Sequence, residues 1–193
     1  MFTQVWRSGP LSKVQHLDPG FCEALIKLCD ELEEKEGRVA DDRVRKSVRS
    51  NTVFAVQHPD LCKLVQHWAT VANEEAGWNF DLSGIEPLQL SKYAADQHYG
   101  WHTDVRPLAE TKGLLMRKLT FNVVLNEDYD GGDFQFSWGT PSATYKKRTI
   151  PEPAMRNRGH MVIFPSFYWH RVTPVITGTR YSLNGWITGP PFR

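Results

Sequence analysis

The triplet His102-Thr103-Asp104 is the part of this 193-residue sequence with the clearest capacity for chemistry. If the segment is extended, side chains two residues apart project to the same face, so the imidazole and the carboxylate lie roughly 6–7 Å apart along the chain. A nitrogen and an oxygen at that spacing can bind one cation from adjacent corners of its coordination sphere. A His-x-Asp triplet also arises easily by chance, so a metal site requires a third ligand from elsewhere in the chain.

The third ligand must come from the remaining histidines. His170 is the strongest candidate, because it lies in a strand-like run, "FYWHRVTPV", in the same β-rich half of the chain as His102 and Asp104. Two histidines and one carboxylate form the facial triad of non-haem Fe(II) oxygenases, which leaves three metal positions open. Zinc hydrolases use a similar set, so the ligands alone leave both metals open. The other candidates are His16, His58, His67, His98 and His160.

Arg180 and Ser182 make the hypothesis more specific. They follow His170 by ten and twelve residues and share one face if "RYSLNGW" is a strand. An arginine beside a metal in an otherwise apolar pocket is unfavourable unless it meets an anion, and a carboxylate is its natural bidentate partner. The pattern therefore indicates a dicarboxylate that chelates the metal at one end and meets Arg180 at the other. 2-Oxoglutarate has that shape, whereas a zinc hydrolase gives no reason for Arg180.

The first 80 residues are predicted to be helical. Asp18-Pro19 is typical of a helix start, and apolar residues recur every three or four positions from 21 to 32. The charged run 31–36 is interpreted as the solvated end of this helix, which Gly37 stops. A second helix is expected from Pro59 to about Ala76.

After Gly77 the sequence changes to short alternating or β-branched runs, which predict strands. Asp130-Gly131-Gly132 lies between two such runs and predicts a hairpin turn. We therefore expect a mainly β fold with N-terminal helices, in one domain spanning 1–193, with helical support over about 1–80 and a β core over about 85–190. The predicted strand segments are "LQLSKYAA", "KLTFNVVLN", "GDFQFSW", "ATYKK", "GHMVIFP", "WHRVTPV" and "RYSLNGWIT".

Composition excludes several classes of protein. A formal charge of +1, 40% apolar residues and 23% charged residues give no field that would favour nucleic acid, and no apolar stretch is long enough for a membrane span. The N-terminus lacks the basic-then-apolar order of a signal peptide.

Cys22, Cys29 and Cys62 are expected to be free thiols, with the first two on one buried helix face, which suits a cytoplasmic location. The basic run 43–50 contains no aromatic residue and is interpreted as an exposed strand or loop edge.

Three segments resemble the Fe(II)/2-oxoglutarate-dependent dioxygenases, specifically the prolyl 4-hydroxylase-like group that includes bacterial and phage PKHD-type hydroxylases. The last segment is the most specific, with an apolar strand ending in Phe-Pro, then His170, Val-Thr-Pro-Val and Gly-x-Arg-Tyr-Ser. The matching segments are "KYAADQHYGWHTD" (92–104), "LTFNVVLNEDYDGGDFQF" (119–136) and "GHMVIFPSFYWHRVTPVITGTRYSLNGW" (159–186).

The resemblance implies a double-stranded β-helix, the jelly-roll or cupin-like core, buttressed by helices. His102, Asp104 and His170 would bind Fe(II). Arg180, where collagen-type prolyl hydroxylases commonly have lysine, would bind the 5-carboxylate of 2-oxoglutarate with support from Ser182.

Further residues receive roles by the same resemblance. The Tyr93 hydroxyl would bind the cosubstrate, and Tyr99 and Trp186 would contact the substrate. Asp96 departs from the family, which often has glycine there. Two inward-pointing strand residues, Thr120 and Asn122, are expected near the cosubstrate, and His98 is expected to be a bystander.

The implied reaction is hydroxylation of a prolyl residue in a protein or peptide. 2-Oxoglutarate and O₂ would be cosubstrates, ascorbate a candidate reductant, and succinate and CO₂ products. Alternatives are the same chemistry on another side chain, a free amino acid or a nucleobase, and a non-catalytic 2-oxoglutarate sensor. A nucleobase substrate is disfavoured because "RYSLNGWITGPPFR" lacks the second, closely spaced arginine of demethylases.

Overall fold

The computed structural model describes residues 5–38, 44–105, 115–137, 139 and 149–192. Within them the chain forms two α-helices, fifteen strands and short 3₁₀ turns. The helices are α1 (Pro19–Lys27) and α2 (Pro59–Glu75). The strands are β1 (Trp6–Arg7), β2 (Lys35–Glu36), β3 (Arg49–Ser50), β4 (Thr52–Val56), β5 (Gly84–Ile85), β6 (Leu88–Tyr93), β7 (His98–His102), β8 (Met116–Val124), β9 (Tyr129–Gly131), β10 (Phe134–Ser137), β11 (Thr149–Pro151), β12 (Met161–Pro165), β13 (Trp169–Val172), β14 (Val175–Gly178) and β15 (Arg180–Gly189).

Helix α1 begins as predicted, because the Asp18 carboxylate accepts hydrogen bonds from the backbone N–H groups of Gly20 and Phe21. The prediction for its other end is wrong. The helix ends at Lys27, and the charged run continues into β2, which pairs with β4 at the edge of a sheet. Helix α2 has the predicted start and extent.

Strands also come from the part of the chain that was predicted to be helical. β1, β2, β3 and β4 all precede α2. The first three have two residues each, which is too short to show an alternating pattern in the sequence. The division into helices before residue 80 and strands after it is therefore wrong in part.

Two sheets enclose the interior of the molecule. The larger has the order β1-β12-β8-β15-β6-β4-β2, with β5 also paired to β15, and the smaller has the order β11-β10-β13-β7-β3. One apolar core lies between the helices and the larger sheet, and includes Val65, Trp68, Phe121 and Leu183. A second core joins residues of the two sheets. This arrangement confirms the expected jelly-roll buttressed by helices.

The predicted hairpin turn at Asp130-Gly131-Gly132 is wrong. Asp130 and Gly131 belong to β9, which pairs with β14, while the flanking strands β8 and β10 lie in different sheets. Both glycines have positive φ, 69° and 61°, where the chain crosses from the larger to the smaller sheet. The strand expected at "ATYKK" lies outside the described residues.

Other expectations concern single residues and the membrane. Cys22 and Cys29 are buried free thiols, as predicted, but they do not share one α-helix, because α1 ends at Lys27 and Cys29 lies in the 3₁₀ turn Leu28–Asp30. Cys62 is half-buried and free. No helix in the described part of the chain has the length and apolar character needed to cross a bilayer.

Candidate metal and cosubstrate site

Strand pairing brings the proposed ligands together. His170 of β13 lies directly opposite His102 of β7, and Asp104 follows two residues beyond the end of β7. The Asp104 amide donates to the Ser166 carbonyl at 2.9 Å, which fixes the chain where β7 ends. One ligand atom from each of the three side chains lies within 4.8 Å of the others, and no other such group occurs in the described residues.

Both imidazoles have the tautomer that a metal ligand needs. His102 Nδ1 is 2.9 Å from the Gly100 carbonyl oxygen, and His170 Nδ1 is 3.0 Å from that of Tyr168. A carbonyl oxygen can only accept, so both Nδ1 atoms carry the proton and both Nε2 lone pairs are free. These Nε2 atoms lie 3.7 Å and 3.4 Å from the Asp104 carboxylate oxygens.

The electrostatic environment keeps His102 and Asp104 in the protonation states that bind a metal. Burial, followed by repulsion from His170, lowers the pKa of His102 to about 3, so its ring is neutral at pH 7. Burial alone would raise the pKa of Asp104, but the two neighbouring imidazoles, Arg117 and a hydrogen bond from Thr120 outweigh it and lower the pKa to about 2. A neutral His102 imidazole beside an ionised Asp104 carboxylate is the state in which these two groups bind a metal without first releasing protons.

The remaining histidines lie elsewhere. His16 and His160 stack on each other with ring centroids 3.6 Å apart. The His58 side chain accepts from the Leu61 amide at the start of α2. His98 stays out of the cluster, as expected, with contacts of 3.4 Å to two backbone carbonyls.

Arg180 is fully buried at the start of β15. Its Nη1 donates to the Ser182 hydroxyl at 3.1 Å, and its guanidinium lies 5.7 Å from the centre of the Tyr93 ring. Its Nε and Nη2 have no hydrogen-bond partner within the described part of the chain. A buried cation with two unused donors is strongly unfavourable unless an anion binds there. Arg180, Ser182 and Tyr93, the three residues predicted to bind the cosubstrate, thus lie together in the structure.

A cavity of about 320 Å³ opens over the triad. Its lining includes all three ligands and Tyr93, and does not include Arg180 itself. Its inner wall carries amides and hydroxyls, namely Gln89, Ser91, Thr120, Asn122 and Asn184. Thr120 and Asn122 thus point inward, as the alternation of β8 predicted.

Tyr99 and Trp186, which are predicted to contact the substrate, both line the cavity. The Tyr99 ring stacks on His102 at 3.5 Å, and burial raises the pKa of its hydroxyl to about 12, so it remains a hydrogen-bond donor. The buried Trp186 indole N–H has no partner among the described residues, and Arg117 stacks on its ring at 3.9 Å.

Sequence reasoning missed two arginines of this site. Arg49 was placed on an exposed edge, but it is buried and lies 4.5 Å over the Tyr99 ring, because β3 pairs with β7. Arg117 was not singled out, and it lines the cavity while donating to both carboxylate oxygens of Glu86, at 2.7 Å and 2.5 Å. Neither residue lies in a segment with a recognisable motif, so only the sheet pairing could reveal them.

The backbone conformation of Asp96 accounts for an aspartate at a position where the family often has glycine. Its φ of 65° is in the left-handed region, which glycine adopts freely and aspartate tolerates better than most residues. The backbone conformation that glycine would provide is therefore retained at this position.

Two histidines and an aspartate between the sheets of a jelly-roll define the class of non-haem metal-dependent oxygenases. Comparison with known families agrees, since residues 88–188 match the model of the 2OG-Fe(II) oxygenase superfamily. The chain belongs to this superfamily, for which Fe(II), 2-oxoglutarate and O₂ are the implied cofactor and cosubstrates.

Relatives and solved structures agree with this family. A PKHD-type hydroxylase of Crocosphaera subtropica is 32% identical over 170 residues, which are 87% of this chain and 63% of that protein. A Pseudomonas putida prolyl-4-hydroxylase has the same fold, with a TM-score of 0.69, 18% identity and coverage of 95% and 92% of the two chains. A Trichoplax adhaerens prolyl hydroxylase, solved with a hypoxia inducible factor peptide, has a TM-score of 0.66 and 13% identity, and the match covers 95% of this chain and 83% of that chain. The chain spans only 43% to 66% of the length of several PKHD-type relatives.

Proposed function

We propose that this protein is an Fe(II)- and 2-oxoglutarate-dependent hydroxylase that acts on a prolyl residue of a protein or peptide, with release of succinate and CO₂. The observation that carries the proposal is the combination, around one interior, of a three-ligand metal cluster and a buried arginine with two unused donors. Metal and dicarboxylate are the two ligands that these features would satisfy together.

Each group has a definite task in this proposal. His102, Asp104 and His170 hold Fe(II), which supplies O₂ activation and oxidation of an unreactive C–H bond. Arg180, supported by Ser182, binds the distal carboxylate of 2-oxoglutarate. The apolar rings around His170 limit the access of water to the reacting atoms.

The remaining site residues act on the cosubstrate and the substrate. The Tyr93 hydroxyl donates to the cosubstrate. Tyr99 and the Trp186 indole N–H face the substrate, and ascorbate would be the reductant that maintains the iron as Fe(II). The prolyl substrate is supported by the names of the PKHD-type relatives and prolyl hydroxylase neighbours.

A polar target side chain is a second candidate substrate, favoured by the inner wall of the cavity. Asn184 Nδ2 donates to the Gln89 carbonyl at 3.3 Å and the Ser91 hydroxyl at 2.9 Å, which fixes the orientation of the amide. Asn184 Oδ1 must then accept from Asn122 Nδ2, and Asn122 Oδ1 is left buried without a partner among the described residues. An unused acceptor favours a ligand that carries an N–H or O–H group.

The test is metal-dependent turnover of 2-oxoglutarate to succinate by protein purified without oxygen and supplied with Fe(II). His170→Ala should abolish succinate formation because two ligands do not retain the metal, and His98→Ala, the matched control, should leave it unchanged. Equal turnover by the two variants would contradict the ligand assignment. Peptides with proline, and matched peptides with polar residues, are then searched for a gain of one oxygen atom, and its position decides between the two substrates.

A further inference from the structure

The carboxylate of Asp104 makes two unlike contacts through its two oxygens. Oδ2 accepts a hydrogen bond of 2.8 Å from the Thr120 hydroxyl and lies 3.4 Å from His170 Nε2, so one of its lone pairs is already used. Oδ1 accepts none within the described part of the chain, and the side-chain nitrogens beside it are His102 Nε2 at 3.7 Å and Arg117 Nη1 at 4.0 Å. Arg117 is itself directed toward Glu86 by two shorter contacts. Oδ1 is therefore the oxygen with both lone pairs available to a metal.

The Thr120 contact has a fixed direction. An ionised carboxylate only accepts, so the single Thr120 hydroxyl proton lies on the Asp104 side. The Ser166 hydroxyl, 3.0 Å from Thr120 Oγ1, must then donate to it. The three side chains are buried, and Ser166 is fully inaccessible to solvent. The result is a one-way relay from Ser166 through Thr120 to Asp104.

The backbone holds this relay in place. The Ser166 amide donates to the Lys118 carbonyl at 2.9 Å, and the Ser166 carbonyl accepts from the Asp104 amide at 2.9 Å. Thr120 lies opposite Phe164 in the pairing of β8 with β12. Neither hydroxyl can turn away without leaving a buried polar group unsatisfied, so the carboxylate plane of Asp104 is fixed from one side.

We propose that Thr120, backed by Ser166, is a positioning residue that reserves Oδ2 of Asp104 and leaves only Oδ1 for the metal. Two histidines and a single-oxygen carboxylate would occupy three positions of a six-coordinate metal, and the three left open would be available to a chelating 2-oxo acid and O₂. A carboxylate that bound through both oxygens would occupy a fourth position and compete with the cosubstrate. This inference rests on the proposed function, because it assigns Thr120 to the same metal site.

The test is Thr120→Val, which removes the hydroxyl and keeps the shape, with Thr120→Ser as the rescue variant. Thr188→Val is the matched control, because Thr188 is a buried threonine of the same sheet that does not line the cavity. Metal affinity is measured with Co(II), whose visible spectrum reports coordination number, and 2-oxoglutarate affinity is measured on the Co(II)-loaded protein. Thermal unfolding of each apo variant shows that the fold is retained.

Thr120→Val should bind Co(II) at least as tightly as the wild type, yet bind 2-oxoglutarate about tenfold more weakly. Thr120→Ser and Thr188→Val should behave as the wild type, and Ser166→Ala should fall between. Three results would each overturn the inference. Thr120→Val could bind 2-oxoglutarate as the wild type does, it could lose Co(II) and 2-oxoglutarate binding in parallel, or Thr120→Ser could fail to restore 2-oxoglutarate binding. If the wild type itself shows no metal-dependent 2-oxoglutarate binding, it is the proposed function that fails.

Discussion

Replacing Arg180 by methionine should weaken 2-oxoglutarate binding without destabilising the protein. Arg180 is fully buried, one of its donors is used by Ser182, and Nε and Nη2 have no partner among the described residues. Charge-assisted hydrogen bonds are worth about 1.5–3 kcal/mol each, so losing two to the distal carboxylate costs at least about 3 kcal/mol. That energy corresponds to roughly a hundredfold in the dissociation constant.

Arg180→Met should leave the stability of the apo protein unchanged or increase it. A buried guanidinium without an anion is unfavourable, and an apolar side chain of similar volume is neutral or stabilising in such a position. We therefore expect the apo Arg180→Met variant to unfold at the same temperature as the wild type or higher. A purely structural arginine would instead give a lower unfolding temperature.

Calorimetric titration of the Co(II)-loaded protein separates these possibilities. 2-Oxobutyrate, which lacks the distal carboxylate, should bind equally to the wild type and to Arg180→Met. Arg171→Met is the control, because Arg171 lies on the outer face of β13, where it contacts Gln135 and the ring of Trp101. Wild-type-like 2-oxoglutarate affinity in Arg180→Met, or an equal loss for both 2-oxo acids, would refute the assignment.

Two further predictions concern the backbone and the thiols. Asp96→Gly should leave the free energy of unfolding unchanged or raise it, whereas Asp96→Val should lower it by about 1–2 kcal/mol, because φ at this position is positive. Denaturant unfolding curves measure both variants, and equal stabilities of the two would contradict the backbone argument. Burial raises the pKa of the Cys29 thiol to about 11, so it holds less thiolate at pH 8 than an ordinary cysteine. Alkylation at pH 8 should modify the half-buried Cys62 first and Cys29 only after unfolding, and early labelling of Cys29 in the native protein would show that its burial is wrong.

The triad could be proposed from the sequence because its members lie in short segments whose residue types and spacing are recognisable without the fold. His102 and Asp104 share one triplet, and His170 lies in a long strand-like segment that also contains the motif leading to Arg180. The strands of the core were equally visible, since β8 and β15 are long enough to show alternation and Thr120 and Asn122 alternate with buried apolar residues. Capping chemistry likewise predicted the start of α1 at Asp18-Pro19.

Contacts that depend on which strands pair were not encoded locally. Two-residue strands such as β2 and β3 form because a longer partner strand supplies their hydrogen bonds. The sequence around Arg49 therefore carries no strand pattern of its own, and Arg49 was assigned to an exposed edge. The residues Asp130-Gly131-Gly132 predicted a hairpin turn, and only the placement of β8 and β10 in different sheets shows that the chain crosses between sheets there.

The sequence by itself determined the chemical identity of the site: which side chains can bind a metal, and which arginine requires an anion. Only the tertiary structure decided how those groups are oriented. The tautomers of the histidines follow from carbonyls that the fold places beside them, and the relay from Ser166 through Thr120 to Asp104 joins three separate segments. Residue type fixes what an atom can bind, whereas hydrogen-bond direction depends on neighbours that are distant in the chain.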